Sequence, residues 1–534
     1  MYPADRLTTT DILQVRSDLA RGATRREAML RLIAAGMTVA AAGSVVGRAA
    51  DALAQAPKKG GRIRVAGNSS STADTVDPAK QSLSTDYSRC YMFYNALTVL
   101  DEKLVPRLEL AESIENDKAT VWTIKLRRDV RFHDGSPLTS ADVVYSLARH
   151  GDAAVASRAK ALAAQMEEIK ATGPNEVRIT LKSPNADLPV MLGTPHFLII
   201  KDGTTEFRTA NGTGPYKCKE FMPGVRSVGV RNDEYWKSGR AHVEQIEFIG
   251  IPDESARTNA LLSGDVQLIA AISPRSTRRI KEAPGFVVFE TKSGNYNDLI
   301  MRHDADPSRN PDLMLALKHL FNREQVVSSV FQGYAVLAND HPVDPTNRFY
   351  NAGIPQRPYD PEKAKFHLRK SGLASTPIPL YAMASTTALD TAVLLQQSAQ
   401  QIGLNLDLKR MPADGYWANV WMKHPLTFGN INPRPSADIL FTLFYKSDSP
   451  WNECGWKNER FDKLLAEARA ETDEAKRKAM YGEMQLLVHE QAGMGIPVFN
   501  SFLDAHTVKL KGLLPIPTGG LMGYNFAESV WLDA

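Results

Sequence analysis

Val121-Trp122-Thr123-Ile124-Lys125-Leu126-Arg127-Arg128-Asp129-Val130-Arg131-Phe132-His133-Asp134-Gly135-Ser136-Pro137-Leu138-Thr139-Ser140-Ala141-Asp142-Val143 holds a strand, a turn and a helix start in one run. Trp122, Ile124 and Leu126 alternate with Thr123 and Lys125, the period of a strand with one buried face. His133-Asp134-Gly135-Ser136-Pro137 reads as a turn, because Gly135 supplies the backbone freedom that a turn needs. Thr139 and Asp142 then stand at capping-box spacing and open a helix through about Arg149.

The same alternation of element types continues on both sides. Arg62–Ala66 reads as a first strand and Glu176–Leu181 as a further one. Asn310-Pro311-Asp312 predicts a helix start, with a cap, a proline at the first helical position and an acid in the first turn. Gly333 marks the end of that helical region. Asp360-Pro361-Glu362 repeats the start, and Gly372 ends that helix. A helix over about Ala388–Ile402 stops at Gly403, and strand alternation resumes over Leu404–Leu408. Phe461, Leu464, Leu465 and Ala468 keep helical spacing, as do Met480, Met484, Leu487 and Val488, all read as core. Strands and helices interleaved in this way predict an α/β fold with mixed sheets. No short repeat or long low-complexity linker appears, so the domains are expected to share crossing strands that permit hinge closure.

A chain of 534 residues is too long for one core and predicts two or three domains. Its 64 basic and 60 acidic residues nearly balance, with no basic run in the body, which argues against a nucleic-acid partner. Cys90, Cys218 and Cys454 are far apart and lack metal-binding spacing, so at most one disulfide forms.

Residues 1–56 read as an export signal. Arg16, Arg21, Arg25, Arg26 and Arg31 precede a weakly apolar stretch from Leu32 to about Gly47, and Ala52-Leu53-Ala54-Gln55-Ala56 has the small residues of a cleavage site. The stretch of roughly 16 residues falls short of the ~20 that cross a bilayer as a helix. Thr24-Arg25-Arg26-Glu27-Ala28-Met29-Leu30-Arg31 resembles a twin-arginine signal, although its bulky residues sit further from the arginines than that pattern places them. Twin-arginine and general export therefore both stay open, the former preferred. Without a cysteine in the segment, the mature protein is expected to be soluble, periplasmic and not lipid-anchored.

Signatures of catalysis fail in turn. There is no G-x-S-x-G elbow. Gly212-Thr213-Gly214-Pro215-Tyr216-Lys217 lacks the Gly-Lys-Ser/Thr ending of a phosphate loop and reads as a tight chain crossing. His489-Glu490 lacks the second histidine of a zincin site. No enzyme activity, metal or cofactor is expected.

The Val121–Val143 run resembles the signature of the family 5 extracellular solute-binding proteins, which include dipeptide-, oligopeptide- and nickel-binding proteins. The resemblance continues at Gly212–Tyr216, Arg231-Asn232-Asp233-Glu234-Tyr235-Trp236, Leu315–Glu324, Tyr359–Lys365 and Asn458–Met484, in the family's order. It implies a two-lobed periplasmic binding protein, type II-like with an extra inserted domain, whose ligand cleft lies between lobes joined by a two-strand hinge. By analogy the first lobe comprises residues 57–91, an inserted domain at 92–212, residues 213–293 and a C-terminal return at 504–534; the second lobe is 294–503. The implied function is capture of a peptide or peptide-like solute by lobe closure and delivery to the permease subunits of an ABC importer in the inner membrane. Its other expected partner is the export machinery, and a monomer is expected. The alternatives are a non-peptide solute (an opine, a sugar-phosphate conjugate or a chelated metal), a signalling component with the same fold, or more remotely a periplasmic hydrolase.

Peptide binders of the family place an aspartate in a Trp-x-Gly-Asp-like segment to hold the ligand's amino terminus. The nearest match here is Phe428-Gly429-Asn430, so Asn430 stands at that position and forms no ion pair with an ammonium. Arg434, between Pro433 and Pro435, is suited to grip a carboxylate or phosphate, and Asp438 follows. Tyr416 and Trp417 are candidate aromatic anchors, whereas Trp421 and Trp456 are read as core. Asn295 and Tyr296 follow the expected hinge crossing, and Asp74 and Asp77 lie in the loop after the first strand; all four are candidates for ligand contact. His133, Asp134 and Gly135 are assigned to the fold.

Overall fold

The computed structural model describes residues 57–533 apart from 375 and 385, together with Met29, Leu32 and Ala42. The export-signal reading of residues 1–56 and its cleavage site lie outside the described residues. Arg62–Gly67 forms the expected first strand because Ile63 and Val65 bury while Arg62 and Arg64 face water. It belongs to the main sheet, whose order is Leu406–Met411, Ile378–Met383, Leu426–Ile431, Phe286–Met301, Val498–Thr507, Leu268–Ile269, Arg62–Gly67, Gln245–Gly250, Arg226–Arg231 and Tyr216–Met222.

Two strands in the middle of that order join the lobes. Phe286–Met301 runs for 16 residues. Its first part pairs with Leu503–Thr507, and its last part pairs with Leu426–Ile431 of the second lobe. Val498–Thr507 runs antiparallel to it and pairs through Ala505 and His506 with Leu268–Ile269 of the first lobe. Between Thr291 and Asn295 the register slips, a bulge that bends the ladder at the crossing.

The opening stretch of the analysis folds as read. Val121–Leu126 is a strand in a separate four-stranded antiparallel sheet, ordered Ala111–Asp117, Val121–Leu126, Glu176–Leu181 and Met166–Gly173. Trp122, Ile124 and Leu126 pack with Val143, Leu147, Val177, Ile179 and Leu181 in one core. Thr139 and Asp142 form the reciprocal capping box of helix Ser140–Ala148. Gly135 has φ of 86°, which favours glycine at that turn.

His133 and the Gly212–Tyr216 segment lock the turn to the first lobe. Gly212 N–H donates to His133 Nδ1 at 3.3 Å, and Nε2 lies 3.0 Å from the Gly214 carbonyl. Burial lowers the His133 pKa to about 4, so the neutral ring accepts at Nδ1 and donates at Nε2. The crossing itself is as tight as the glycines imply: a Cβ at Gly212 would lie 2.1 Å from the Phe93 carbonyl oxygen.

In the second lobe Asn310 accepts hydrogen bonds from Asp312 and Leu313 N–H, starting helix Pro311–His319. The chain then breaks: Asn322 caps a new turn at Gln325, and Val326–Val330 forms a π-turn before Gly333. Asp360 caps helix Pro361–Ser371, as read. The strand expected from Leu404 begins at Leu406, because Leu404 N–H is spent on the Ala399 carbonyl at the helix end. Helices Glu459–Ala470 and Glu474–Gln491 pack against each other through Phe461, Leu464, Leu465, Met484 and Val488.

A second contact joins the two parts of the chain away from the shared strands. Buried Asp187, after strand Glu176–Leu181, takes Arg477 Nη2 at 2.8 Å and Arg348 Nη2 at 3.2 Å. Beside it Ala186 N–H donates to the Arg469 carbonyl at 2.8 Å.

Gly212→Ala is expected to lower unfolding free energy by about 1–3 kcal/mol, the usual cost of overpacking, because the added carbon meets backbone. Urea denaturation checks this, and an unchanged midpoint would show that the crossing relaxes freely.

Candidate functional site

A cavity of about 730 Å³ lies between the lobes, within the range of small-molecule sites. One wall is helix Ser84–Phe93, whose Tyr87, Ser88 and Tyr91 face the space, with the loop 516–525 beside it. The opposite wall comes from the second lobe: Asn432–Pro435, Ile439, Leu443 and Trp451.

The first wall is held by buried charge. Arg89 on that helix pairs with Asp86 at 2.9 Å and Asp74 at 3.2 Å, donates to Ser227, and packs on Phe221 and Phe248. Asp77 accepts from Ala79 N–H and pairs with Arg149 through two contacts at 2.7 and 3.0 Å. Asp74 and Asp77 therefore hold arginines inside the first lobe and lie outside the cavity lining, contrary to the ligand role expected of them.

Loop 516–525 carries backbone strain at the cavity surface. Leu521, Met522 and Tyr524 have φ of 51°, 60° and 75°, the left-handed region that side chains disfavour. Asp504 pins this loop: its carboxylate accepts from Leu521 N–H at 2.5 Å and from Ala271 N–H at 3.1 Å. Burial raises the Asp504 pKa to about 6.

Arg434 faces the cavity from the second wall. Nη1 donates to the carbonyls of Asn432 and Pro433 at 3.0 and 3.2 Å, and the guanidinium sits 5.4 Å from the Phe444 ring centre. Among the described residues no carboxylate forms an ion pair with it, although the buried Glu453 lies near enough to favour its charge. Burial lowers its pKa, yet guanidinium stays charged at any physiological pH.

Asp438, four residues on, turns away. It pairs with Arg469 at 3.0 Å in the lobe interior, and burial raises its pKa to about 6. Ser436 rather than Asp438 caps helix Ala437–Phe444. Tyr416 is also interior: its hydroxyl donates to the Phe428 carbonyl at 2.7 Å. Asp438 and Tyr416 are thus structural. Trp417 is 45% exposed and outside the cavity lining, but it begins a run of ring contacts through Trp421 and Trp451 to Phe444. Trp451 is the member of that run that lines the cavity; Trp456 is buried core.

Asn295 and Asn430 meet in an amide network at the hinge. Asn430 Nδ2 donates to Asn297 Oδ1 at 2.9 Å, Asn500 donates to Asn295 at 2.8 Å, and Asn295 donates to Asn432 at 3.1 Å. Of these, Asn432 reaches the cavity. Tyr296 is buried against Phe499, away from the lining. Beneath the second wall, Asp298 and Glu453 are buried side by side, and Glu453 accepts Trp421 Nε1–H at 2.7 Å. Burial raises the Asp298 pKa to about 7 and that of Glu453 well above its usual range, so the pair retains a proton near neutrality.

Tyr87, Tyr91, Trp451 and the 516–525 loop were not among the expected site residues. The loop's Gly519-Gly520 and Gly523 were the available signal; its positive φ angles at Leu521, Met522 and Tyr524 had none.

Among the described residues, no group of three or more histidine, cysteine, aspartate or glutamate side chains is placed to hold a metal, and no helix is long and apolar enough to cross a membrane. Two lobes joined by crossing strands, with a cavity between them, define a periplasmic binding protein fold. Residues 105–453 match the bacterial extracellular solute-binding proteins, family 5 (middle), and the chain belongs to that family, which supplies the solute-binding component of ABC importers. It is 25% identical over 480 residues to the glutathione-binding protein GsiB of Escherichia coli (strain K12), covering 85% of this chain and 92% of that one. Its fold is similar to that of HbpA2 from Haemophilus parasuis, with a TM-score of 0.79, 21% identity and coverage of 89% and 100%. It is also similar to DppA from Helicobacter pylori in complex with the peptide STSA, with a TM-score of 0.71, 22% identity and coverage of 89% and 99%.

Between pH 4 and 7 an unfolded chain has released the Asp298 proton while the folded protein keeps it, so what Asp298 adds to stability is lost as pH rises through that window, whereas His133, His150, His319 and His341, each lowered by burial to about 4, act in the opposite direction. Asp298→Asn is expected to make stability increase more, or decrease less, with pH than in the wild type; Asp438 and Asp504, raised in the same direction, keep their own share. Thermal denaturation across the window reads this, and an unchanged slope would clear the pair of responsibility.

Proposed function

We propose that this protein captures a small peptide-like solute in the interlobe cavity by lobe closure and delivers it to the permease of an ABC importer. The observation that carries the reading is Arg434, a half-buried guanidinium on a stiff loop that faces the cavity without a carboxylate partner. Such a group is poised to form charge-assisted, bidentate bonds with a solute carboxylate. Supporting it, GsiB is named for glutathione and DppA was solved with a peptide. The cavity draws its walls from both lobes, so a bound solute contacts both and stabilises the closed arrangement by that difference. Export of the mature chain to the periplasm, by the twin-arginine or the general route, belongs to the same proposal.

Native mass spectrometry of the purified mature protein tests the reading, with any released molecule identified after denaturation. Peptides or a peptide-like carboxylate are expected; a metal complex or a sugar phosphate would overturn it. Arg434→Ala is expected to lose at least 10-fold in affinity, about 1.4 kcal/mol, with its melting temperature unchanged. Unaltered affinity would remove Arg434 from the site.

The Asp187 contacts with Arg477 and Arg348 are expected to favour closure as well. Asp187→Asn should weaken solute binding by roughly 10-fold and enlarge the solute-free protein in small-angle scattering. Identical scattering profiles would show that these ion pairs do not bear on closure.

A further inference from the structure

We infer that the cavity selects a carboxylate solute that carries no free ammonium: an N-blocked, largely apolar monoanion. The inference rests on the interlobe cavity being the solute site.

The charges around the cavity are uneven. Its one cationic side chain without a carboxylate partner is Arg434; the other basic side chain in the lining, His196, is held neutral by burial and hydrogen-bonds the Gln81 carbonyl through Nε2. Asp504 is the single acid among the described lining residues. Both its oxygens already accept backbone N–H groups, from Ala271 and from Leu521, and the Leu521 bond holds the strained 521–524 turn. Drawing it toward a ligand cation would give up those bonds and leave buried N–H donors unpaired, a cost that opposes such a role. The nearby acids of the first lobe, Asp74, Asp86 and Asp77, are each closed by Arg89 or Arg149.

Asn430 gives an independent observation. Its Nδ2 points at oxygens, Asn297 Oδ1 at 2.9 Å and the Tyr296 carbonyl at 3.4 Å. The position demands a donor, and an aspartate there would face oxygen with oxygen. The one carboxylate among the described lining residues is thus Asp504, 2% exposed and already engaged by two backbone N–H groups, so an ammonium group entering the cavity has no freely presented acid to pair with, and a buried unpaired cation is strongly disfavoured. A carboxylate finds Arg434. A phosphate monoester brings a charge of about −1.5 to −2 and would leave part of it uncompensated beside a single guanidinium. The rest of the lining, including Leu100, Leu443, Trp451, Phe502 and Met522, suits an apolar body.

Isothermal titration with three matched probes tests this: N-acetyl-Phe-Ala, free Phe-Ala, and N-acetyl-Phe-Ala amide. The acetylated acid is expected to bind at least 10-fold tighter than either of the others. A smaller preference over free Phe-Ala overturns the inference and leaves the peptide-like reading in place, as does an acetylated amide that binds as well as the acid. A lack of binding by all three overturns the peptide-like reading and this inference with it. Asp504→Asn supplies a second measurement. If it weakens free Phe-Ala selectively, Asp504 is an ammonium site and the inference fails; equal effects on both acids are expected of a residue that only holds the loop.

Discussion

Two antiparallel strands, Phe286–Met301 and Val498–Thr507, are shared by both lobes, and the placement of every cavity residue depends on them. A continuous ladder holds the lobes in register, whereas the bulge between Thr291 and Asn295 interrupts it at one place. Immediately beyond that interruption Asn295, Asn297, Asn430, Asn432 and Asn500 exchange side-chain amides. Each amide has both a donor and an acceptor, so the crossing strands stay tied while the sheet bends. Through Asn432 the same network orients the loop that carries Arg434.

Around the cavity, arginines and carboxylates are sorted by whether they have partners. Arg89, Arg149, Arg469 and Arg477 each face an acid within 3.0 Å and serve as internal fasteners. Isolated burial of any one of them would be costly, and breaking such a pair leaves a buried charge behind. Arg434 departs from the pattern: carbonyls and an aromatic face hold it in place without neutralising it. Arg257 is held by carbonyls in the same way, but it is buried inside the first lobe; Arg434 differs in lining the cavity, which is the ground for proposing a solute partner for it. Strain follows a similar logic, concentrated in the 521–524 turn on the opposite wall and maintained by Asp504.

Much of the fold was legible along the chain. The Val121–Leu126 alternation, the Thr139–Asp142 box and the Asn310-Pro311 and Asp360-Pro361 starts all formed the elements they implied, because each rests on residues only a few positions apart. The Gly212–Gly214 crossing was legible too, as two glycines so close leave room for a backbone neighbour. Within the site, Arg434 between two prolines was the readable residue. Asp74, Asp77 and Asp438 looked equally available, yet each is paired with an arginine 15, 72 or 31 positions away.

Local composition and spacing by themselves determined the interleaved strands and helices, the family signature and the one arginine on a stiff loop. Only the tertiary structure decided which charges are spent inside the protein and which remain for a solute. The physical reason is that capping, alternation and turn formation are governed by neighbours in sequence, whereas charge pairing and cavity shape depend on residues that meet only when the lobes fold together. Tyr87 and Tyr524 show it most plainly: far apart in the chain, they lie with ring centres 5.2 Å apart on one wall, facing an arginine from the other lobe.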